Sequence, residues 1–161
     1  MKKCLRIAVI LLSLLLFAGC SEKPADGSKI DEGSITEVEG LVFRAEQEEY
    51  GGALSSLTLT VENNTGDEVT YGEAYTAQRF EDGEWKTVPF GKDGGWFIEI
   101  AYKLPDGESA EVVIDLAKQH SEALSDGRYR IIKNFYLSAE RAEDGSKVLA
   151  TLAAEFTVSE Q

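Results

Sequence analysis

The sequence predicts an all-β sandwich, and three observations predict it. Apolar residues recur at every second position in several stretches, and Asx/Gly turn clusters separate those stretches at short intervals. No amphipathic helical run is long enough to cover a sheet, so two sheets must cover each other. The clearest stretch is 57–64, LTLTVENN, where Leu57, Leu59 and Val61 face one way and Thr58, Thr60 and Glu62 the other. One dry face and one wet face suit an antiparallel strand. Asn63-Asn64-Thr65-Gly66-Asp67 then stops it with residues that tolerate left-handed backbone or bond their own chain.

The chain opens differently. Lys2, Lys3 and Arg6 precede an apolar run from Ile7 to Phe17, broken only by Ser13. A helix of that run spans only ~16 Å, about half of a ~30 Å bilayer core, so a secretory signal is the better reading. The run ends Leu16-Phe17-Ala18-Gly19-Cys20-Ser21, which resembles the bacterial lipoprotein signal, with Phe17 standing where leucine is commoner. The resemblance implies that residues 1–19 are removed and that Cys20 is lipidated; two buried acyl chains make a stable anchor. Cys4 leaves with the signal, so the folded part has no disulfide, metal thiolate or catalytic thiol. Loss of Lys2, Lys3 and Arg6 moves the formal charge from -13 to about -16. Such a surface repels nucleic acid and anionic head groups, and it allows a cationic partner.

Residues 20–34 hold Cys20 and a polar tether, SEKPADGSKIDEGS, without periodicity. Fourteen residues reach at most ~50 Å and average roughly 20 Å as a coil. The domain, 35–161, then floats close to the membrane on its extracytoplasmic side.

Within it, 35–46 predicts a first strand with Gly40 as a bulge or bend, and 48–52 (EEYGG) a turn. Strand 54–63 follows, then 69–80 (VTYGEAYTAQRF). Asp82-Gly83 between that run and Trp85–Val88 predicts a hairpin, and 89–95 a glycine-rich loop. Trp96, Ile98, Ile100 and Tyr102 alternate as one face of a further strand. A turn at 104–108 leads to Ala110, Val112, Ile114 and Leu116 on one strand face. Residues 117–124 (AKQHSEAL) lack β-branching and predict one or two helical turns. Strand 128–137 (RYRIIKNFYL), a turn at Glu143-Asp144-Gly145 and strand 147–158 complete about seven or eight antiparallel strands.

Leu124-Ser-Asp-Gly-Arg-Tyr129-Arg-Ile131 resembles the corner that opens the penultimate strand of immunoglobulin-like domains. The resemblance makes Tyr129 a structural tyrosine corner, bonded back to the preceding backbone, and puts Ile131 where antibody domains have a cysteine. Trp85 or Trp96 would be the core tryptophan. With Tyr71-Gly72-Glu73, the EDGEW hairpin and the GRYR corner in order, residues 35–158 look like a bacterial immunoglobulin-like domain. That likeness implies an immunoglobulin-like β-sandwich at the cell surface, and no catalytic residues or cofactor come with it.

The chemistry-bearing residues are few. His120 is the single histidine, in a polar connector without a G-x-S-x-G elbow, and is expected to be a solvated surface residue. One histidine and no domain cysteine supply no structural metal set. The six Asp-Gly pairs lack the alternating acids of a calcium loop and read as turns. Tyr71, Tyr75, Trp85, Trp96, Phe97, Tyr102 and Tyr136 are expected to be mainly core residues of a disulfide-free sandwich. If a ligand-binding loop exists it is 89–97, with Phe90, Trp96 and Phe97, because function collects on loops held by a scaffold.

The leading expectation is a monomeric, non-enzymatic, lipid-anchored module on the extracytoplasmic side of a bacterial membrane, binding a protein partner or cell-wall polymer. An alternative is a modulator of a neighbouring membrane sensor or protease. A carbohydrate-active enzyme ranks below both, because nothing selects an acid pair from 29 acids.

Overall fold

A computed structural model of the chain describes residues 35–141 and 147–160. The signal segment, Cys20, the tether and the turn at Glu143-Asp144-Gly145 lie outside them. Two sheets face each other. One orders β1 (Leu41–Ala45), β3 (Ser56–Asn63) and β8 (Ser109–Asp115) as β1-β3-β8, all antiparallel. The other runs β2 (Glu49–Gly51), β10 (Lys147–Ser159), β9 (Gly127–Arg141), β4 (Val69–Tyr71) and β7 (Tyr102–Leu104). A hairpin of β5 (Thr76–Glu81) and β6 (Glu84–Thr87) joins that second sheet through β9. The helix α1 (Leu116–His120) is a short connector whose start is capped by Asp115, which accepts from the Lys118 N–H at 3.0 Å.

The core is built by the alternation read from the sequence. Leu57, Leu59 and Val61 of β3 are wholly buried, and so are Ile131 and Phe135 of β9 and Val158 of β10. Phe43 meets Phe135 edge-on across the two sheets, centroids 5.4 Å apart. Asp82 and Gly83 both have positive φ (55° and 86°), which two-residue hairpin turns require. Gly40 also has positive φ (81°), and a Cβ there would meet the Asn64 carbonyl at 2.2 Å.

Four expectations are corrected. Residues 48–52 are not a plain turn, because Glu49–Gly51 pairs parallel with the end of β10 as a short edge strand. The run 69–80 is not one strand. Both β4 and β5 pair with β9, but the chain leaves the sheet between them, at residues 72–75. Residues 96–101 form no strand, and the chain reaches a ladder only at Tyr102, opposite Tyr71. Neither tryptophan fills the core. Trp96 is 84 % exposed, and Trp85 lies half-buried outside, with the Arg130 guanidinium 4.4 Å from its ring centroid.

Candidate functional site

Residues 72–75 start from a local conflict. The strand would continue along β9, yet Gly72-Glu73-Ala74-Tyr75 steps out, leaving Lys133 of β9 without a backbone neighbour on that side. Alternation along β9 turns Lys133 inward with Ile131 and Phe135. The side chain is 99 % buried, at 1 % exposure, and its ammonium donates to the Ala74 carbonyl at 3.1 Å. It also lies 5.7 Å from the centroid of the Tyr71 ring. Burial pulls its pKa down to about 8, and the field of Glu73 opposes this without cancelling it.

This break opens a cavity of about 400 Å³ between the edges of the two sheets. Tyr71, Tyr75, Phe97, Tyr102, Val112 and Ile114 supply its apolar and aromatic wall, with Lys133 among them. Glu73, Glu111, Asp115 and Lys118 also line it, and the last three are solvent-exposed. The Tyr102 hydroxyl donates to Glu73 Oε1 at 3.0 Å, and that bond to an anion raises the tyrosine's pKa. Burial raises the Tyr71 pKa, and its hydroxyl finds no hydrogen-bond partner among the described residues.

The loop 88–101 borders the cavity and splits the three aromatics expected to bind. Phe90 and Phe97 tuck inward onto Tyr75, with ring centroids 5.5 and 5.4 Å away. Only Trp96 is presented to solvent, followed by Ile98 at 65 % and Ile100 at 40 % exposure. The loop is pinned by its glycines. The Gly91 N–H donates to the Gln119 carbonyl and the Gly95 N–H to Gln119 Oε1, both at 2.9 Å.

His120 is no solvated surface residue. It stacks on Phe90, with centroids 4.9 Å apart, its Nδ1 is 2.9 Å from the Pro89 carbonyl and its Nε2 3.2 Å from the Tyr75 hydroxyl. The Pro89 contact makes Nδ1 the donor, so Nε2 accepts from Tyr75. Burial lowers the His120 pKa, against the raising effect of the Pro89 bond. Both nitrogens are thus spent on holding the loop. Tyr129 donates its hydroxyl to the Ser125 carbonyl at 3.0 Å, tying the turn before β9. Tyr71 and Tyr75 are core residues, whereas Tyr102 and Tyr136 are 39 % and 40 % exposed.

Lys133 is the residue that sequence reasoning passed over. Its signal was present: in RYRIIKNFYL a lysine shares the register of Ile131 and Phe135. Among the described residues, no helix is long and apolar enough to cross a membrane.

A sequence model of the family described as "Bacterial Ig-like domain" matches residues 37–157. No curated protein matches the chain. Among solved structures, the chain is similar to the ASH/PapD-like domain of human CEP192 (PapD-like domain 7), at 12 % identity and a TM-score of 0.35. That likeness covers 79 % of this chain and 92 % of that one.

Proposed function

The chain belongs to the bacterial Ig-like domain family, and from that premise we propose that this immunoglobulin-like sandwich is a non-enzymatic interaction module, lipid-anchored through Cys20 on the extracytoplasmic side of the membrane. It meets a protein partner through the edge of the sandwich at Trp96, Ile98, Ile100 and Tyr102. The observation that carries the reading is the exposure of this run, 84 % at Trp96 and 65 % at Ile98, on a loop whose other aromatics, Phe90 and Phe97, are half-buried against the core. A large aromatic presented by a pinned loop is the ordinary anatomy of an interface anchor. Val113, 65 % exposed on β8, extends the apolar surface across the cavity that it and Tyr102 both line. The lipobox-like LFAGCS and the short polar tether support the anchor and a partner close to the membrane.

The test is photo-crosslinking in cells from a reactive amino acid at position 98 of the intact lipoprotein, followed by mass spectrometry. Reproducible capture of one membrane protein, lost in Trp96→Ala, is the expected result. Capture of wall fragments, or of nothing above background, overturns the protein-partner reading in favour of a polymer-binding or spacer role.

A further inference from the structure

We propose that the cavity at Lys133 is a binding site for an organic carboxylate carried on an apolar or aromatic body of roughly amino-acid size. Lys133 occupies a position where the sandwich would ordinarily hold an apolar residue. Ile131 and Phe135, the register neighbours of Lys133 on β9, are both wholly buried. A buried ammonium has lost its water and must be compensated by charge and hydrogen bonds. Its three N–H donors find one carbonyl, that of Ala74, and no carboxylate pairs with it among the described residues. A neutral donor would serve a single carbonyl as well, so the Ala74 bond does not account for a cation here.

The cavity answers the surplus. The Tyr71 hydroxyl, on a residue only 6 % exposed, is a second donor without a partner among the described residues, and it lines the same space as Lys133. Two donors, one of them charged, fit a carboxylate, which only accepts. The remaining wall, Tyr75, Phe97, Tyr102 and Ile114, fits an aromatic or branched aliphatic body. Charges at the mouth do not reverse this. Glu111, Asp115 and Lys118 are exposed, so water screens much of their charge, although the field of Asp115 still reaches Tyr75 in the wall; the charge of Lys133 is buried. Glu73 is bonded by the Tyr102 hydroxyl, and its attraction leaves Lys133 still displaced to about 8. The cavity shares Tyr102 with the exposed Trp96 strip, but its test is read at Lys133 on the free protein, so its outcome does not depend on the protein-partner reading.

The experiment titrates the full chain, labelled with ¹³C-lysine, with N-acetyl-L-phenylalanine and separately with N-acetyl-L-phenylalaninamide. The two probes differ only in the carboxylate. The expected result is a saturable shift of the Lys133 Cε signal, with the acid bound about tenfold or more tighter than the amide. The midpoint of the Lys133 titration then rises when the acid is present, by linkage. Lys133→Met lowers affinity for the acid by about tenfold or more, and Tyr71→Phe, which removes only the hydroxyl, lowers it by about threefold or more. Equal binding of acid and amide overturns the proposal, as does an unmoved Lys133 signal or undiminished binding by Lys133→Met.

Discussion

Lys133 stands where a hydrophobic residue of similar length would pack without desolvating a charge. Replacing a buried ionic group by an apolar one is often neutral or stabilising, by ~1–4 kcal/mol. Lys133→Met is therefore expected to raise the urea midpoint of the full chain. Its pKa, lowered to about 8 from 10.5, also fixes a pH signature. Below pH 8 the lysine is protonated whether folded or unfolded, and the fold bears the whole penalty. Between about pH 8 and 10.5 the unfolded chain holds the proton that the folded chain has released, so stability rises with pH in that window. Wild type should gain on Lys133→Met between pH 8 and 10, measured by urea unfolding; parallel curves would refute the buried charge. Tyr129 shows the opposite economy. Its hydroxyl satisfies the Ser125 carbonyl at the turn into β9, so Tyr129→Phe should cost ~1 kcal/mol in the same assay. His120 has its pKa lowered by burial. It supports the fold fully above its unfolded value near 6.5, and that support declines as pH falls below it toward the folded value. The loop it holds should therefore loosen in acid, read by amide hydrogen exchange at 90–97.

At the scale of elements, loop 88–101 depends on α1 more than on its own sequence. A Cβ at Gly94 would lie 1.8 Å from the Gln119 carbonyl oxygen, so only glycine permits the backbones to approach so closely. Gly94→Ala should cost ~1–3 kcal/mol and raise hydrogen exchange across 90–97, while exchange in β9 and β10 stays slow. Alternation alone makes 96–102 read as a strand, because Trp96, Ile98, Ile100 and Tyr102 occupy every second position. The chain has no ladder before Tyr102, turns tightly where the Ile100 N–H donates to the Ile98 carbonyl, and its alternate residues face solvent. Period two reports which residues share a side; it does not report whether another strand lies on that side. The break between β4 and β5 is illegible for a related reason. Nothing in VTYGEAYTAQRF except Gly72 signals a departure, and the departing backbone is met by Lys133, about sixty positions away in the chain, through its hydrogen bond to the Ala74 carbonyl. Turn chemistry is local, and it was legible at the Asp82-Gly83 hairpin, whereas the helical turns expected at 117–124 form one residue earlier and shorter, at Leu116–His120, because Asp115 caps them and Ser121 ends them.

For the molecule as a whole, the proposed anchor and the acidic domain act together. In the proposed anchored form, the formal charge of about -16 that remains after loss of residues 1–19 favours solubility and repels anionic head groups. Cys20→Ala should move the protein from the membrane fraction to the soluble fraction on cell fractionation while leaving the thermal unfolding of the domain unchanged. Membrane retention of that variant would sink the lipidation reading. If the partner is a membrane protein, the same variant should also lose the position-98 crosslink, because release dilutes the two partners away from each other.

Resemblance to immunoglobulin-like domains pointed to the tyrosine that closes the corner before β9; the sequence by itself determined the all-β class, the dry faces of β3 and β10 and the hairpin turn. These follow from period-two patterning and from turn residues, both of which act over a few positions. Only the tertiary structure decided that two expected binding aromatics, Phe90 and Phe97, face inward while Trp96 faces out. It also decided that Tyr71, Tyr102 and Lys133 line one cavity between the sheets. The reason is physical. A side chain's face is set by its own strand, but a cavity is set by where a neighbouring strand stops, and that depends on contacts between residues far apart in the chain.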